Sequence, residues 1–166
     1  MICPVCQWQN FLGEDVCENC GADLWRSDTP EQTSSFHGRL LGLRLDKLGA
    51  PRPVIADAET SAGAAIDRMR RDGIDCLLVL EGGVLVGIFT DRDAVLKVGA
   101  TVDDVRPLRE VMTSDPVVLQ HDDPVAVAIH TMAVGEFRHV PIVDGGTPIA
   151  VVSARDVFRH LATGLG

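Results

Sequence analysis

Apolar positions along this chain change period in a fixed order. Ala62, Ala65, Ile66 and Met69 recur at helical spacing, and two short apolar runs at 76–80 and 84–89 follow, joined through Gly82-Gly83. Spacing of i, i+3, i+4, i+7 predicts an amphipathic helix, whereas short apolar runs flanking a Gly-Gly pair predict a β-hairpin. A second helix is predicted at about 91–98. The whole order then returns, with Val125, Ala128, Ile129 and Met132 on a helix, a hairpin at 139–143 and 147–152 around Gly145-Gly146, and a helix at about 154–162. Thr60 and Asp123 stand as N-caps, with Pro124 at the first helical position. Each unit reads strand, helix, strand, strand, helix.

The two units are copies. Residues 45–98 align with 108–161 at a constant offset of 63 without a gap. Pro53-Val54 falls on Pro116-Val117, Ala65-Ile66 on Ala128-Ile129, Met69 on Met132, and Arg92-Asp93 on Arg155-Asp156. A duplicated unit leaves an apolar face that its twin can cover, so one intramolecular pair is expected. Upstream, Leu40, Leu41, Leu43, Leu45 and Leu48 suit a helix, or a helix followed by a turn, weakened by Gly38 and Gly42. The stretch 26–35, rich in Ser, Thr, Asp and Gln, reads as a flexible tether.

Composition narrows the class. With 166 residues, 46% hydrophobic and 23% charged, the chain suits a globular domain with a small appendage. No apolar run reaches the ~20 residues that span a bilayer, and Cys3 stands where the basic start of a signal peptide belongs; no membrane association and a cytoplasmic location are expected. A net charge of -9 disfavours nucleic acid, whose affinity comes from cations on phosphates. Arg68, Arg70 and Arg71 read as the solvated face of a helix.

At the N-terminus, Cys3-Pro4-Val5-Cys6 and Cys17-Glu18-Asn19-Cys20-Gly21 form two C-x-x-C pairs. Two such turns complete the tetrahedral thiolate set of a closed structural zinc site, and Gly21 suits the positive φ that follows a second cysteine. The segment 1–25 resembles a short zinc ribbon holding one zinc per chain through Cys3, Cys6, Cys17 and Cys20; disulfides, a redox pair or iron are the competing readings. It carries Glu14, Asp15, Glu18 and Asp23 but no Lys or Arg before Arg26. Its sign suits docking to an unknown protein partner rather than phosphate binding, with Trp8, Phe11 and Trp25 either on that surface or covering the metal.

Two further motifs end the second hairpin strands. Gly87-Ile88-Phe89-Thr90-Asp91-Arg92-Asp93 and Ala150-Val151-Val152-Ser153-Ala154-Arg155-Asp156 each place a carboxylate three positions after a hydroxyl residue. That carboxylate can accept from both hydroxyls of a ribose, with the helix amides facing phosphate. The same spacing is a helix capping box, and the two roles can coexist. No nucleophile, base and oxyanion set assembles, and no G-x-x-x-x-G-K loop occurs, so a non-catalytic protein is expected.

In element order, duplication and strand-end motifs, residues from about 45 to 161 resemble a tandem pair of CBS motifs, the Bateman module. The expected organisation is a ribbon at 1–25, a linker at 26–38, a first CBS motif with its preceding helix at 39–106 and a second at 107–166. The resemblance implies an α/β (α+β) fold whose two sheets pack and leave two symmetry-related clefts. It also implies an adenosine ligand (AMP, ADP, ATP or S-adenosylmethionine) and a homodimer. Carried onto this chain, Thr90 and Asp93 face Pro116, Val117, Arg138, His139, Val140 and Pro141. Ser153 and Asp156 face Pro53, Val54, Asp75, Cys76, Leu77 and Leu78. Arg138-His139 is expected to pair with phosphate and Asp75-Cys76 to repel it, making the Thr90/Asp93 cleft the tighter one. Taken alone, His139 reads as a strand-end surface residue, as do His121, His130 and His160 as surface residues, and Cys76 as a small buried hydrophobe. The function expected is ligand-dependent regulation through the ribbon or the dimer; a ligand-free adaptor or a nucleic-acid-binding regulator is the alternative.

Overall fold

A computed structural model describes residues 3, 5–6, 8–10, 15–22, 24, 42–99 and 103–163. The chain divides into two units, Met1–Gly42 and Leu43–Gly166. Phe11, Glu14, Asp23, Trp25, the tether at 26–35 and residues 36–41 of the helix or helix and turn predicted over 36–48 lie outside the described residues.

The larger unit opens with a 3-10 turn (Leu45–Leu48) and continues β1 (Ile55–Asp57), α1 (Ala62–Asp72), β2 (Cys76–Glu81), β3 (Val84–Thr90) and α2. Helix α2 starts as Asp91–Asp93 and runs on as a π-helical turn, Ala94–Val98. The second half follows as α3 (Leu108–Val111), β4 (Thr113–Ser114), β5 (Leu119–Gln120), α4 (Val125–Gly135), β6 (His139–Asp144), β7 (Thr147–Ser153) and α5 (Ala154–Thr163). The duplication persists in detail. A register irregularity falls between Val79 and Leu80 in β2 and, 63 positions on, between Ile142 and Val143 in β6. Both hairpins turn on two glycines with positive φ, the geometry that matches strand twist.

The strands form a β1-β2-β3-β4 sheet and a β5-β6-β7 sheet, with the first pair of each parallel and the hairpins antiparallel. Strand β2 is apolar at successive positions because both its faces are covered. Leu77 and Val79 join Phe89 against Ile66 and Met69 of α1, while Leu78 packs with Ile88 and with Val151 of β7. Ala62, Ala65, Ile66 and Met69 form the buried stripe of α1 that the spacing predicts. Complete burial of a side chain such as Ile66 is worth about 1.5–3 kcal/mol. Strand β5 is shorter than β1 for a local reason. Leu78 donates its N–H to the Val54 carbonyl at 2.9 Å, whereas its counterpart is Pro141, which has no N–H to give Val117.

The helix starts differ from expectation by one residue. Ser61, not Thr60, caps α1 by accepting from the Ala64 N–H at 3.3 Å, and Pro124 is itself the cap position of α4, with Val125 the first helical residue. The Thr60 carbonyl instead accepts from the Leu108 N–H at 2.9 Å. That contact belongs to a reciprocal exchange. Ala62 and Gly63, at the start of α1, donate to the Arg106 and Asp104 carbonyls, and Val125, at the start of α4, donates to Leu43 (all 2.8 Å). Each repeat's helix thus has its orphan N–H groups satisfied by the segment that precedes the other repeat. Sequence repeats and spatial halves therefore do not coincide.

Candidate ligand clefts and metal centre

Two clefts separate the repeats. The first, about 410 Å³, is lined by Thr90, Asp93, Lys97, Thr113, Pro116, Val117, Glu136, Phe137, Arg138 and His139, among others. The second, about 540 Å³, is lined by Pro53, Val54, Asp75, Cys76, Ser153, Asp156 and a group of arginines. Of the residues singled out from sequence, Val140, Pro141, Leu77 and Leu78 do not reach a cleft. They are fully buried inside β6 and β2, one or two strand positions too deep to face a ligand.

Both strand-end motifs form. Asp93 Oδ2 accepts from the Thr90 N–H (3.0 Å) and hydroxyl (2.8 Å), and Thr90 Oγ1 accepts in return from the Asp93 N–H (3.3 Å). Asp156 Oδ2 does the same with Ser153, at 2.9 and 2.6 Å, and the Asp156 N–H donates back at 3.2 Å. Their second oxygens differ. Asp93 Oδ1 lies 2.7 Å from Lys97 Nζ and accepts from the Thr113 hydroxyl at 3.1 Å. Asp156 Oδ1 has Arg159 at 3.7 Å, and its side chain is twice as exposed, 17% against 8% for Asp93.

The charges at the entrances are not segregated as the sequence suggested. Cys76 and His139 are the equivalent first residues of β2 and β6, so Asp75-Cys76 and Arg138-His139 come together instead of facing separate clefts. Arg138 lies 3.3 Å from Asp91 and lines both clefts, as His139 does. His139 is buried, not a surface residue, because it opens a strand paired on both sides. His130 is exposed; His121 and His160 are half-buried. Cys76 is half-buried; burial first, then the carboxylates of Asp75, Asp91 and Asp156, pushes its thiol up to about 12.

The arginines of the second cleft are what the sequence reading missed. Arg52, Arg70, Arg155 and Arg159 line it with Arg138, against the carboxylates of Asp75, Asp91 and Asp156. The first cleft has Arg92, Lys97 and Arg138 against Asp91, Asp93, Asp115 and Glu136. The cleft assigned to phosphate repulsion is thus the more cationic. Arg155 and Arg159 could have been found from their place beside Asp156 at the start of a helix. Arg70 could not, because its neighbours Arg68 and Arg71 do occupy a solvated face, paired at i,i+4 with Asp72 and Asp67.

In the smaller unit, Cys3, Cys6, Cys17 and Cys20 have their sulfurs within 4.8 Å of one another, with Cys3–Cys20 at 3.7 Å and Cys6–Cys17 at 3.6 Å. Zinc–sulfur bonds of ~2.3 Å at tetrahedral angles require sulfurs about 3.8 Å apart, so the cluster fits a metal ion. The two turns are tied by Cys3 N–H to Trp8 O (2.9 Å) and Cys17 N–H to Ala22 O (2.8 Å), and Gly21 has φ +69. Burial is the largest single influence on the Cys17 thiol and raises its pKa. Backbone bonds from Cys20 and Asn19 and side-chain bonds from Asn10 and Cys6 together outweigh it, to about 6. Trp8 is half exposed.

Two gap-free α/β repeats that exchange their leading segments and enclose a pair of equivalent clefts define a tandem-repeat module of the CBS type. The CBS domain family model matches residues 47–99 and 108–163, and the chain belongs to that family. It is 34% identical over 132 residues to the CBS domain-containing protein CBSCBSPB5 of Arabidopsis thaliana, covering 76% of this chain and 24% of that protein. It is 30% identical over 139 residues to the meiotically up-regulated gene 70 protein of Schizosaccharomyces pombe, covering 81% and 19%. The chain therefore spans about a fifth to a quarter of these relatives. Among solved structures, the CBS-domain containing protein ATU1752 from Agrobacterium tumefaciens matches with TM-score 0.64 and 27% identity over 71% of this chain and 98% of that one. The CBS domain protein PAE2072 from Pyrobaculum aerophilum, complexed with AMP, gives 0.63 at 23% identity over 73% and 99%. The CBS domain pair of protein MJ0100, in complex with 5-methylthioadenosine and S-adenosyl-L-methionine, gives 0.66 at 23% over 74% and 98%. Among the described residues no helix is long and apolar enough to cross a membrane.

Proposed function

We propose that this chain is a non-catalytic regulatory module that binds an adenine nucleotide or S-adenosylmethionine between its CBS repeats. The bound state would be passed to a partner protein through the zinc ribbon or through a homodimer. The observation that supports this best is the paired Thr90/Asp93 and Ser153/Asp156 motifs, each at a strand end and each opening on a cleft completed by the other repeat. The solved CBS pairs that hold AMP or S-adenosylmethionine are consistent with it. A ligand acting this way must favour one arrangement of the repeats over another.

Within that reading, the Ser153/Asp156 cleft is the phosphate-binding one, because its carboxylate has the more accessible oxygen and its walls carry the arginines. Thermal shift with AMP, ADP, ATP and S-adenosylmethionine tests the reading. A ligand at 100 times its Kd adds about 2.7 kcal/mol to a folded state that alone binds it. If none of the four raises the melting temperature or gives heat in calorimetry, the motifs are helix caps and the module is a ligand-free adaptor.

A further inference from the structure

The geometry points to a second metal centre, distinct from the four-cysteine ribbon, formed by Asp75, Cys76 and His139 where the two repeats meet. A carboxylate oxygen of Asp75, Cys76 Sγ and a ring nitrogen of His139 all lie within 4.8 Å of one another. The first two residues stand at the head of β2 and the third at the head of β6, so the donors come from both repeats.

Two independent observations mark this as a site. The His139 side chain is more than nine-tenths buried, and its Nε2 has no hydrogen-bond partner. Asp75 Oδ1 is 3.2 Å from that nitrogen without forming an aligned hydrogen bond with it. Buried polar atoms are nearly always paired, and a lone pair left over in this way is what a cation would use. The second observation is the donor set. One thiolate, one imidazole and one carboxylate select a borderline transition ion over calcium or magnesium, which prefer all-oxygen shells. Zinc takes three such ligands and leaves its fourth tetrahedral position open.

That fourth position faces the second cleft, because Asp75, Cys76 and His139 all line it. Arg52, Arg70, Arg155 and Arg159 line the same space, so the exogenous donor completed there is anionic or water. On binding, Cys76 gives its proton to solvent and forms one metal–sulfur bond, with no change of oxidation state. The ion would join β2 to β6 and so fasten the repeats. The site stands whether or not the cleft takes a nucleotide.

Zinc content tests the assignment on the full-length reduced chain, equilibrated with zinc and desalted. The wild type should hold one more zinc per chain than Cys76→Ser. Cys17→Ser, which breaks only the ribbon, should keep the second ion and lose it when combined with Cys76→Ser. Cobalt added to Cys17→Ser should give tetrahedral visible bands and thiolate charge transfer that adding Cys76→Ser diminishes, and Asp75→Asn should weaken uptake at the second site at least tenfold. If circular dichroism shows that Cys76→Ser is unfolded, His139→Gln replaces it. Equal zinc content in wild type, Cys76→Ser and His139→Gln, or a cobalt spectrum indifferent to them, overturns the site.

Discussion

Lys97 Nζ sits 2.7 Å from Asp93 Oδ1, and no such ammonium holds the equivalent carboxylate, since position 160 is histidine. With Thr113 on the same oxygen and Thr90 on the other, Asp93 has both oxygens engaged inside the protein. Asp156 shares the motif but leaves Oδ1 with a looser neighbour, Arg159 at 3.7 Å. Equivalent motifs thus differ in what they offer a ligand.

Calorimetric titration with AMP and ATP should therefore lose its tighter site in Asp156→Ala and retain it in Asp93→Ala. Arg155→Ala should weaken that site by about tenfold, at the low end of the 1.5–3 kcal/mol of a charge-assisted contact because the arginine is exposed to solvent. Loss of the tighter site in Asp93→Ala, with Asp156→Ala unaffected, would reverse the assignment.

The period changes, the duplication and the four-cysteine cluster could be read from sequence because each depends on local spacing, which backbone geometry fixes. What could not be read was how the copies meet. The bonds of Ala62 to Arg106 and of Val125 to Leu43 need the leading segments to cross over, and nothing in residues 43 or 106 announces it. The packing of the repeats also brings Asp75 to His139 and so undoes a charge argument built on each strand end alone. Lys97 was legible only as a helix residue, since its effect depends on a carboxylate four positions back pointing into the cleft.

Gly87 lies under Met112, and a Cβ built there would overlap the methionine sulfur, with Cγ at 2.9 Å and Cε at 3.0 Å. The second repeat carries Ala150 at this position, so the restriction comes from Met112, the C-cap of α3, and not from the strand. Gly87→Ala should cost about 1–3 kcal/mol through overpacking, and Gly87→Ala with Met112→Ala should cost less than the two single changes added together. Urea denaturation of the four proteins measures it; strict additivity would show that Met112 does not set the limit.

Glu136 ends α4 at φ 53, at the position where Gly73 ends α1 at φ 64. The left-handed region costs a side-chain-bearing residue about 1–2 kcal/mol, and Arg92 binds the Glu136 carbonyl, not its side chain. Glu136→Gly should hold stability level or raise it by up to about 1 kcal/mol, while Gly73→Glu should lower it by a similar amount. A clear loss in Glu136→Gly would mean that its carboxylate makes a stabilising contact across the first cleft.

Val95 and Phe158 occupy equivalent positions on α2 and α5, 63 residues apart, and both are exposed, Phe158 at 73%. Leu96 and Val134 are exposed as well, Leu96 on the wall of the first cleft. Scattered surface apolars are ordinary, but the same position left apolar and uncovered in both repeats suits a surface that a symmetric partner covers on both halves at once. Under the homodimer reading, Phe158→Asp should shift the dimer to monomer in sedimentation velocity at micromolar chain. A buried aspartate without a partner charge costs several kcal/mol, enough to weaken association by about a hundredfold or more. Val95→Asp should act in the same direction, while the melting temperature measured on the monomer stays within a few degrees, because neither residue packs in the core. A wild type that sediments as a monomer, or a Phe158→Asp dimer unchanged, removes this face from the interface.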